Sequence, residues 1–477
     1  MKRQHKIAIL KYTTKNFWLL VIPLVRGLIA VGFDVYNWVR GAYLDIIVIA
    51  LIILLAVVRW YFVTYEIRET CIRVQSGMLL KSSFEVPYKA ISSVSAKRLL
   101  WLRPTKAVSI AIDSDSHSVY NKPGKADIEL TVSFKDYTEL FNKIPTESTN
   151  AKITYHASKW NLMLFSFVFS STLSGVILIG TVLIQGGKII GGELNERFIS
   201  AVNGMTEVMQ KIVNGLTPAA AALTVVMFFG WLLSFISNLL RHINFRIQRC
   251  GENIFVENGF FSKWKYYINI SRVNCADLRQ NLLMKICRVM SVHVSCTGYG
   301  KSKNEIPVFV PVTTRKRVIS SMRMTLPNFT ISNISIRPRK LSMMTYIWLP
   351  LLLATVIPVS GAVILHIFPS WSGTIEFLTL MAEIPATYML IVKIAAKFTS
   401  GIGADGDTIT LKYCKMFHFH TIIVPKNRIV YMRISRTIFQ QMGKSCDIWV
   451  YTKGERASRH RVRGVDIEAA EAFCREI

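Results

Sequence analysis

The sequence predicts a multi-domain membrane protein in which six transmembrane α-helices form three hairpins, each followed by a cytosolic α+β domain. Three observations predict this fold class. Long apolar runs recur along the 477 residues, the positive charge lies mostly between those runs, and one pattern of strand residues appears three times. Each repeated domain is predicted to be a curved antiparallel sheet closed by a C-terminal helix.

The apolar runs define the predicted membrane spans. Each run contains 17 or more residues, which is long enough to cross a hydrocarbon core of about 30 Å. The runs occupy 17–33, 42–63, 162–184, 219–240, 346–368 and 377–394. The last run is the weakest, because it is short and carries Glu383 and Lys393. The runs fall into pairs with short or modest links, which predicts three hairpins.

The charge distribution predicts a multi-pass protein of the cell membrane with both termini in the cytoplasm. The net charge is +29, and the N-terminal tail and three polar segments hold 51 of the 58 Lys and Arg but only 22 of the 29 Asp and Glu. Basic loops are retained on the cytoplasmic side during insertion. The first run is also compatible with a signal peptide cleaved near Ala30 and Gly32, which Arg26 fits poorly. Cleavage would leave the orientation of the rest unchanged.

One set of strand residues recurs in the three polar segments, which indicates an internal repeat. In the first two segments the spacing is identical, with Ile72, Val74, Gly77, Val86 and Ile91 matched by Ile254, Val256, Gly259, Ile268 and Val273. The third segment keeps Ile409, Leu411, Val424 and Ile429, with one extra residue before Val424 and no matching Gly. Alternation at period two around a Gly predicts a β-hairpin whose turn needs positive φ. Each segment then closes with a strand that runs into an amphipathic helix, at 130–144, 308–324 and 462–477.

These features divide the chain into seven predicted regions. They are a basic cytosolic tail (1–16), the first hairpin (17–63) and domain (64–159), the second hairpin (160–240) and domain (241–343), and the third hairpin (344–395) and domain (396–477). The link inside the second hairpin, 192–216, has apolar residues at helical spacing. It is predicted to lie on the outer bilayer surface, either as a simple cover on the spans or as a sensor of extracellular peptides.

The motif Val86-Pro87 followed by Ile91, repeated as Val424-Pro425 and Ile429, resembles the bacterial pleckstrin-homology-like (PH-like) domain. With the threefold layout, nearly the whole chain resembles the YdbT-like family of bacterial membrane proteins. The resemblance implies three PH-like folds, a smaller membrane partner with one such domain, and a link to envelope stress and tolerance of membrane-active peptides. The sequence departs from the pattern at Asn269, which replaces the Pro, and at Lys415, which replaces the Gly.

Basic clusters are the candidate sites for anionic lipid. The segment 241–343 carries 18 basic and 4 acidic residues, a net +14. Its clusters are Arg315, Lys316 and Arg317 at the predicted closing helix, and Arg337, Arg339 and Lys340 just before the fifth span. Basic residues near the inner leaflet each gain about 1 kcal/mol from acidic lipid. The alternative is that they only fix the topology. The chain has no nucleic-acid-binding motif, so nucleic acid is not expected as a partner.

Ionisable residues within the spans form a second group of candidates, because charge is costly in a bilayer. Arg26 and Asp45 lie at similar depths in the first hairpin and are predicted to form an ion pair. Glu383 lies two residues before Pro385. Its carboxyl group is predicted to be protonated, to pair with His366 or Arg26, or to line a polar cavity.

No enzyme, cofactor or metal motif was found. The eight cysteines all lie in polar segments and include no C-x-x-C pair, so small buried thiols in a reducing compartment are expected. His418 and His420 alternate on one predicted strand without neighbouring ligands, which favours surface histidines over a metal site. The leading hypothesis is a non-enzymatic scaffold that assembles with a partner and the anionic inner leaflet in envelope defence. The alternative is a transporter or exporter of peptides or lipids that uses Arg26, Asp45 and Glu383.

Overall fold

The structure is a computed structural model of the chain. It describes residues 1–13, 34–78, 80–99, 102–114, 126–144, 153–171, 175–177, 179, 180, 183, 193–212, 217–260, 262–296, 308–453 and 458–476.

The chain repeats one order of elements three times, namely a short N-terminal strand or extended segment, hairpin helices, and a lobe of strands and short helices. The first unit contains β1 (Lys2–Arg3), α1 (Ala8–Tyr12), α2 (Val35–Tyr61), β2 (Thr64–Ile67), β3 (Cys71–Ser76), β4 (Ser82–Pro87), β5 (Ile91–Arg98), β6 (Ala107–Ser114), β7 (Ile128–Ser133) and α3 (Phe134–Lys143). The second contains β8 (Ile153–His156), α4 (Lys159–Phe169), α5 (Glu193–Ile212), α6 (Pro218–His242), β9 (Arg246–Cys250), β10 (Asn253–Asn258), β11 (Lys263–Asn269), β12 (Val273–Gln280), α7 (Leu282–Ile286), β13 (Val289–Cys296), β14 (Val308–Thr314) and α8 (Arg315–Thr325). The third contains α9 (Met344–Ile367), α10 (Ser372–Thr399), β15 (Gly401–Asp405), β16 (Thr408–Lys415), β17 (His418–Pro425), β18 (Ile429–Ser435), α11 (Ile438–Met442), β19 (Ser445–Thr452), β20 (Ser458–Asp466) and α12 (Ile467–Glu476). We call the elements from β2 to α3 lobe 1, those from β9 to α8 lobe 2, and those from β15 to α12 lobe 3.

Some of the six predicted spans are present as helices. Pro218–His242, Lys340–Ile367 and Pro369–Thr399 are each long and apolar enough to cross a membrane, and Trp38–Leu44 with Ile46–Phe62 forms a fourth candidate bent by 58°. The predicted span 17–33 lies outside the described residues, and the span 162–184 is described only in part. The described helices therefore support a membrane protein, and the count of six remains a prediction.

Each lobe contains two small sheets rather than the single curved sheet that the sequence predicted. The break falls at a one-turn 3-10 helix, Tyr88–Ala90 in lobe 1, Ile270–Arg272 in lobe 2 and Lys426–Arg428 in lobe 3. Pro87 and Pro425 precede the first and third turns, where their fixed φ directs the chain. Asn269 takes this position in lobe 2, and its Oδ1 accepts a hydrogen bond of 2.9 Å from the Ser271 amide. The departure from the Pro pattern therefore keeps the turn.

The lobes are joined edge to edge by their strands. Strand β5 of lobe 1 pairs with β11 of lobe 2, and β12 of lobe 2 pairs with β17 of lobe 3, which produces a seven-stranded and a six-stranded sheet. Val94 lies opposite Tyr267 at the first junction, and Ala276 lies opposite Ile423 at the second. These residues occupy equivalent positions in the repeat, so both junctions use the same register. The sequence analysis did not predict this continuous arrangement.

The segment before each hairpin returns to the lobe that follows it. Strand β1 pairs with β2, β8 pairs with β9, and Ile336 forms a bridge with Ile402 of β15. The structure thus places Ile153–His156 with lobe 2, whereas the predicted first domain (64–159) includes them. It also places the segment around Ile336 with lobe 3 rather than with the predicted second domain (241–343). Both ends of each hairpin consequently meet at the same lobe.

Each lobe has a buried core that its C-terminal helix helps to cover. In lobe 1 the Ser133 hydroxyl accepts a hydrogen bond from the Asp136 amide and caps α3, whose Tyr137 and Leu140 are buried. The cores extend across the junctions, because Tyr267 of lobe 2 packs in the core of lobe 1 and Ile423 of lobe 3 packs in the core of lobe 2. The predicted strand-to-helix ending of each domain is therefore present.

Two further predictions concern local geometry. Helix α5 occupies most of the predicted amphipathic link 192–216 and packs along α6. In the β-hairpins, Gly77 and Gly259 adopt φ of 114° and 99°, as their positions in the turns predicted. Lobe 3, which lacks this Gly, makes a tighter turn in which Met416 adopts φ of 51°.

Candidate functional site

A large cavity lies where the third hairpin meets lobe 3. It has a volume of about 1110 Å³ and opens to the surface. We call it the lobe 3 cleft. One wall comes from the start of α9 and from α10, and the other from β19, β20, α11 and the loop before α11. The lining residues are Met344, Thr345, Tyr346, Trp348, Leu349, Pro350, Met389, Lys393, Met416, Arg436, Thr437, Ile438, Gln440, Gln441, Asp447, Arg461 and Arg463.

Hydrogen bonds from the strands of lobe 3 to the helices fix the shape of the cleft. The Tyr346 hydroxyl on α9 donates to the Arg463 carbonyl at 2.9 Å, and the Arg463 guanidinium donates to the Thr345 carbonyl at 3.4 Å. Gly464 adopts φ of 64°, and an added Cβ there would lie 2.5 Å from the Ser342 side chain. Strand β20 therefore sits tightly against the start of the hairpin.

The cleft is strongly basic. Its described lining contains four basic side chains, Lys393, Arg436, Arg461 and Arg463, and one acid, Asp447. Asp447 is 2% exposed. Its oxygens already accept hydrogen bonds from Arg461 Nε at 2.9 Å, from the Gly464 amide at 2.9 Å and from Gln440 Nε2 at 2.7 Å. Asp447 therefore balances Arg461 and leaves three positive charges without a carboxylate in the cleft.

Those three charges come from different elements and surround the same space. Burial and the nearby Arg461 lower the pKa of the Arg463 guanidinium. Lys393 projects from α10 with its Nζ 4.0 Å from Cys414 Sγ, and Arg436 is exposed at the rim. Three cations at one cavity repel each other, and a bound anion would relieve that repulsion.

The part of the cleft lined by α9 and α11 carries exposed apolar side chains. Trp348 and Leu349 on α9 are exposed by 56% and 42%, and Ile438 on α11 is exposed by 76%. Trp348 and Leu349 lie within the first two turns of a helix that is apolar enough to span a bilayer. Large exposed apolar groups beside basic side chains match the two parts of a phospholipid, an acyl region and an anionic headgroup.

A cavity at the corresponding junction of lobe 1 differs in charge. It measures about 590 Å³ and lies between α2 and lobe 1. Its described charged residues are Lys11, Arg59, Asp127 and Glu129, two of each sign. Lys11 also forms an ion pair of 3.0 Å with Glu129. The charge of this cavity is balanced, so the lobe 3 cleft is the better anion site of the two.

The comparison with known proteins gives the family. The family described as Bacterial PH domain matches residues 9–144, 206–323 and 349–477, which together make up most of the chain. The chain belongs to the bacterial PH domain family. Each match includes hairpin residues and the lobe after them, so lobes 1, 2 and 3 are its three bacterial PH domains.

A curated relative covers almost the whole length. The UPF0699 transmembrane protein YdbT of Bacillus subtilis (strain 168) is 18% identical over 483 aligned residues, which include 96% of this chain and 93% of the relative. No solved structure matches the chain. The resemblance to YdbT-like proteins that the repeated layout predicted is thereby confirmed, as are the three PH-like domains.

The structure brings the two predicted lipid-binding clusters close to one seam between the second and third PH domains. Arg315, Lys316 and Arg317 are exposed in the first turn of α8. Burial, followed by repulsion from Arg315 and Arg337, lowers the pKa of Lys412 on β16, so these three side chains are neighbours. Lys340 is exposed just before α9.

Arg339 has a structural contact as well as a predicted lipid role. Its Nη1 donates to the Gly443 carbonyl at 2.9 Å and lies 3.7 Å from Asp466 Oδ1. Arg339 thus attaches the segment before α9 to the third PH domain, beside the lobe 3 cleft.

The prediction that His418 and His420 are surface residues is wrong for His420. Its Nδ1 lies 3.0 Å from Asp277 Oδ2 across the junction of β12 and β17, and the two side chains are 11% and 10% exposed. Asp277 also accepts a hydrogen bond of 2.6 Å from Arg279 Nε. Burial raises the pKa of Asp277, but the hydrogen bond and charge of His420, together with Arg279, outweigh burial and hold it well below its usual value. His418 is half-buried and stacks on Phe169.

Other polar groups near this junction are buried as well. Ser291 Oγ lies 3.2 Å from His293 Nε2, and both residues are buried. Burial lowers the pKa of His293 well below its usual value and that of His460 to about 4, so both are neutral at pH 7. Among the described residues, no cluster of three or more His, Cys, Asp or Glu side chains has the arrangement of a metal site.

Of the ionisable residues predicted within the spans, the structure describes the side chain of Glu383 but not those of Arg26 and Asp45. Arg26 lies outside the described residues, and so does the side chain of Asp45, although its backbone belongs to α2. The predicted ion pair between them therefore stays a prediction. Glu383 lies on α10, where its Oε2 is buried without a hydrogen-bond partner among the described residues, and His366 is exposed.

Sequence reasoning missed the lobe 3 cleft because its cations are far apart in the chain. Lys393 lies in the predicted sixth span, whereas Arg436 and Arg463 lie 43 and 70 residues further along the chain. Alternation along β20 places Arg461 and Arg463 on one face, which is the signal that sequence reasoning had available. The pairing of Asp277 with His420 had no such signal, since it depends on which strands meet between domains.

Proposed function

We propose that this chain is a non-enzymatic membrane scaffold that holds an anionic phospholipid in the lobe 3 cleft and assembles with a partner at the inner leaflet of the cell membrane. The observation that carries the proposal is the group of three cations without a carboxylate, Lys393, Arg436 and Arg463, beside exposed Trp348 and Leu349. The phosphate would bind among the cations, and the acyl chains would lie along α9.

The repeated architecture supports a scaffold. Three PH domains share extended sheets and cores across their junctions, so they form one large rigid support rather than three independent modules. We place this support on the cytoplasmic side because the N-terminal tail and the three polar segments that contain the lobes carry the whole +29 excess charge. The expected biological role is envelope defence or tolerance of membrane-active peptides, with a smaller membrane protein that carries one PH-like domain as the partner.

Lipid retention tests the proposal. The purified full-length chain would be placed in nanodiscs of phosphatidylcholine with a minor fraction of phosphatidylglycerol and released for native mass spectrometry. We expect the wild type to retain phosphatidylglycerol. The double variant Lys393→Gln, Arg436→Gln should bind it about thirtyfold more weakly, because each basic group near acidic lipid contributes about 1 kcal/mol.

The matched control is Arg475→Gln. Arg475 is an exposed arginine of the third PH domain on α12, and it does not line the cleft. Equal retention of phosphatidylglycerol by the double variant and by this control would refute the lipid site.

A transporter or exporter is the second candidate. The observation in its favour is the buried Oε2 of Glu383, which has no partner among the described residues and sits beside Pro385 in a membrane helix. A carboxyl group in that position binds and releases protons in proton-coupled carriers. The effect of Glu383→Gln separates the two candidates, because a proton-coupled carrier would lose activity and a scaffold would not.

A further inference from the structure

The C-terminal PH domain lacks a contact that both preceding PH domains have. In lobes 1 and 2 the fourth strand of the repeat, β5 or β12, is covered along its outer edge by a strand of the next lobe. In lobe 3 the equivalent strand is β18. It ends its sheet, and no strand in the described part of the chain pairs with its outer edge.

The exposure of equivalent residues shows what this contact covers. Ser92 on β5 and Asn274 on β12 are 0% and 4% exposed, whereas Val430 on β18 is 57% exposed. The neighbouring Tyr431 is 50% exposed. The core side of the strand is open as well, because Ile429, Met432 and Ile434 are only partly buried, while their equivalents in β5 and β12 are all buried.

An apolar side chain from the next lobe closes the core at each internal junction. Tyr267 on β11 lies opposite Val94 and packs in the core of lobe 1. Ile423 on β17 lies opposite Ala276 and packs in the core of lobe 2. Continuing the same register, Met432 on β18 is the residue that would face the incoming side chain.

A second copy of this chain would not supply a matching side chain. The position of Tyr267 and Ile423 corresponds to Glu85 on β4 of lobe 1. Glu85 is exposed and forms ion pairs with Arg73 at 3.1 Å and Arg68 at 3.6 Å. Docking β4 onto β18 would direct this carboxylate towards the core of lobe 3, at a large desolvation cost. Inward-pointing charge is a known way to protect an edge strand.

The two ends of the array therefore differ. The β4 end is protected by Glu85 and by the Pro87 that follows it, whereas β18 presents the sequence Ile-Val-Tyr-Met-Arg-Ile-Ser, which favours strand pairing and contains no Pro or Lys.

We propose that β18 is the docking edge for a PH-like lobe of a separate protein, whose strand equivalent to β11 and β17 carries a large apolar residue opposite Met432. The inference rests on the proposed scaffold function and names the surface through which the partner binds. The partner adds its strand antiparallel to β18 by backbone hydrogen bonds and inserts its apolar side chain into lobe 3. The array then gains a fourth lobe in the same register as the first three.

Site-specific photo-crosslinking tests the docking edge. A benzophenone amino acid would replace Tyr431 in the full-length chain in native membranes, and the crosslinked peptides would be identified by mass spectrometry. The expected product joins position 431 to a separate protein with a PH-like lobe, on the strand just before its 3-10 turn. Substitution of Val430 by Lys should abolish the product. Val430 is exposed in the isolated chain, so this substitution preserves the fold.

The same crosslinker at Glu85 is the matched control, because β4 is the corresponding edge at the other end of the array, and no protein crosslink is expected there. Crosslinking of position 431 to a second copy of this chain, to lipid alone or to nothing would overturn the proposal. Phosphatidylglycerol retention by Val430→Lys should equal that of the wild type. A failure of the lipid test and a failure of the edge test are therefore distinguishable.

Discussion

The buried carboxylate of Asp277, which contacts both His420 and Arg279, makes a sharp prediction about the junction between lobes 2 and 3. Replacing Asp277 by Asn keeps the size of the side chain and removes its charge. Arg279 and His420 then lose their shared carboxylate at 2.6 and 3.0 Å. We expect the pairing of β12 with β17 to weaken while lobe 2 remains folded, because its core is built from many other apolar residues.

The structure sets the size of the effect. Removing one partner of a buried ion pair costs about 3 to 5 kcal/mol. Arg279 is 34% exposed and can be solvated, so we expect about 2 to 3 kcal/mol. The folded pKa of Asp277 lies below its unfolded value. Its contribution is therefore fully present above the unfolded pKa of about 4 and is lost as the pH falls through the folded pKa. At pH 7 the Asp277 carboxyl group is ionised in both the folded and the unfolded chain, so its contribution to stability is present.

Hydrogen–deuterium exchange measures this difference directly. At pH 7 the amides of β12 and β17 in Asp277→Asn should exchange about 30 to 150 times faster than in the wild type, which corresponds to the expected free energy. Asp405→Asn is the matched control, since Asp405 is exposed on β15 in lobe 3, and it should leave both strands protected. Unchanged protection of β12 and β17 in Asp277→Asn would refute the assignment of the Asp277 carboxylate as a stabilising group of the junction.

Two other substitutions test the hairpins and their attachment. In Gly403→Ala the added Cβ would lie 1.9 Å from the Asn333 carbonyl oxygen. The attachment of the segment around Ile336 to β15 should therefore weaken by about 1 to 3 kcal/mol. Faster tryptic cleavage after Arg339 would show this loss. Gly204→Ala on α5 is the matched control. Its added Cβ meets nothing within 4 Å, so cleavage after Arg339 should stay at the wild-type rate in this variant. If trypsin cleaves both variants as slowly as the wild type, the close approach of Gly403 to Asn333 does not hold the segment around Ile336 on β15. For Glu383→Gln the scaffold proposal predicts an unchanged or slightly raised melting temperature and wild-type tolerance of membrane-active peptides. The reason is that an amide replaces a carboxyl group whose buried Oε2 has no hydrogen-bond partner among the described residues. Loss of tolerance with an intact fold would favour the carrier instead.

The repeat was predictable from the sequence because each lobe uses the same apolar positions. Val86, Ile268 and Val424 are all buried, as the period-two alternation predicted. The apolar length of α9 and α10 likewise identified them as candidate spans. The departure at Asn269 could also be interpreted from residue chemistry, because Asn caps a turn that Pro would otherwise direct.

The junctions between lobes were not predictable from local pattern. The order of apolar and polar residues along a strand does not show whether another strand pairs with its edge. Strands β5 and β18 place apolar residues at equivalent positions, although the outer edge of β5 is paired and that of β18 is not paired within the described part of the chain. The pairing of Asp277 with His420 and the gathering of Lys393, Arg436 and Arg463 depend on those long-range contacts. The basic clusters at Arg315 and Arg337 were identified because charge is visible in the sequence, but their proximity to Lys412 was not.

The topology of the three lobes is the claim on which the lipid site and the partner edge both depend. Trypsin added to intact spheroplasts and to inverted membrane vesicles, with an antibody against each lobe, tests it most directly. The account predicts that all three lobes survive in spheroplasts and are all cut in inverted vesicles. Cleavage of any single lobe from the outside of intact spheroplasts would contradict it, because strands shared through β5 with β11 and β12 with β17 require the lobes to lie on one side of the membrane.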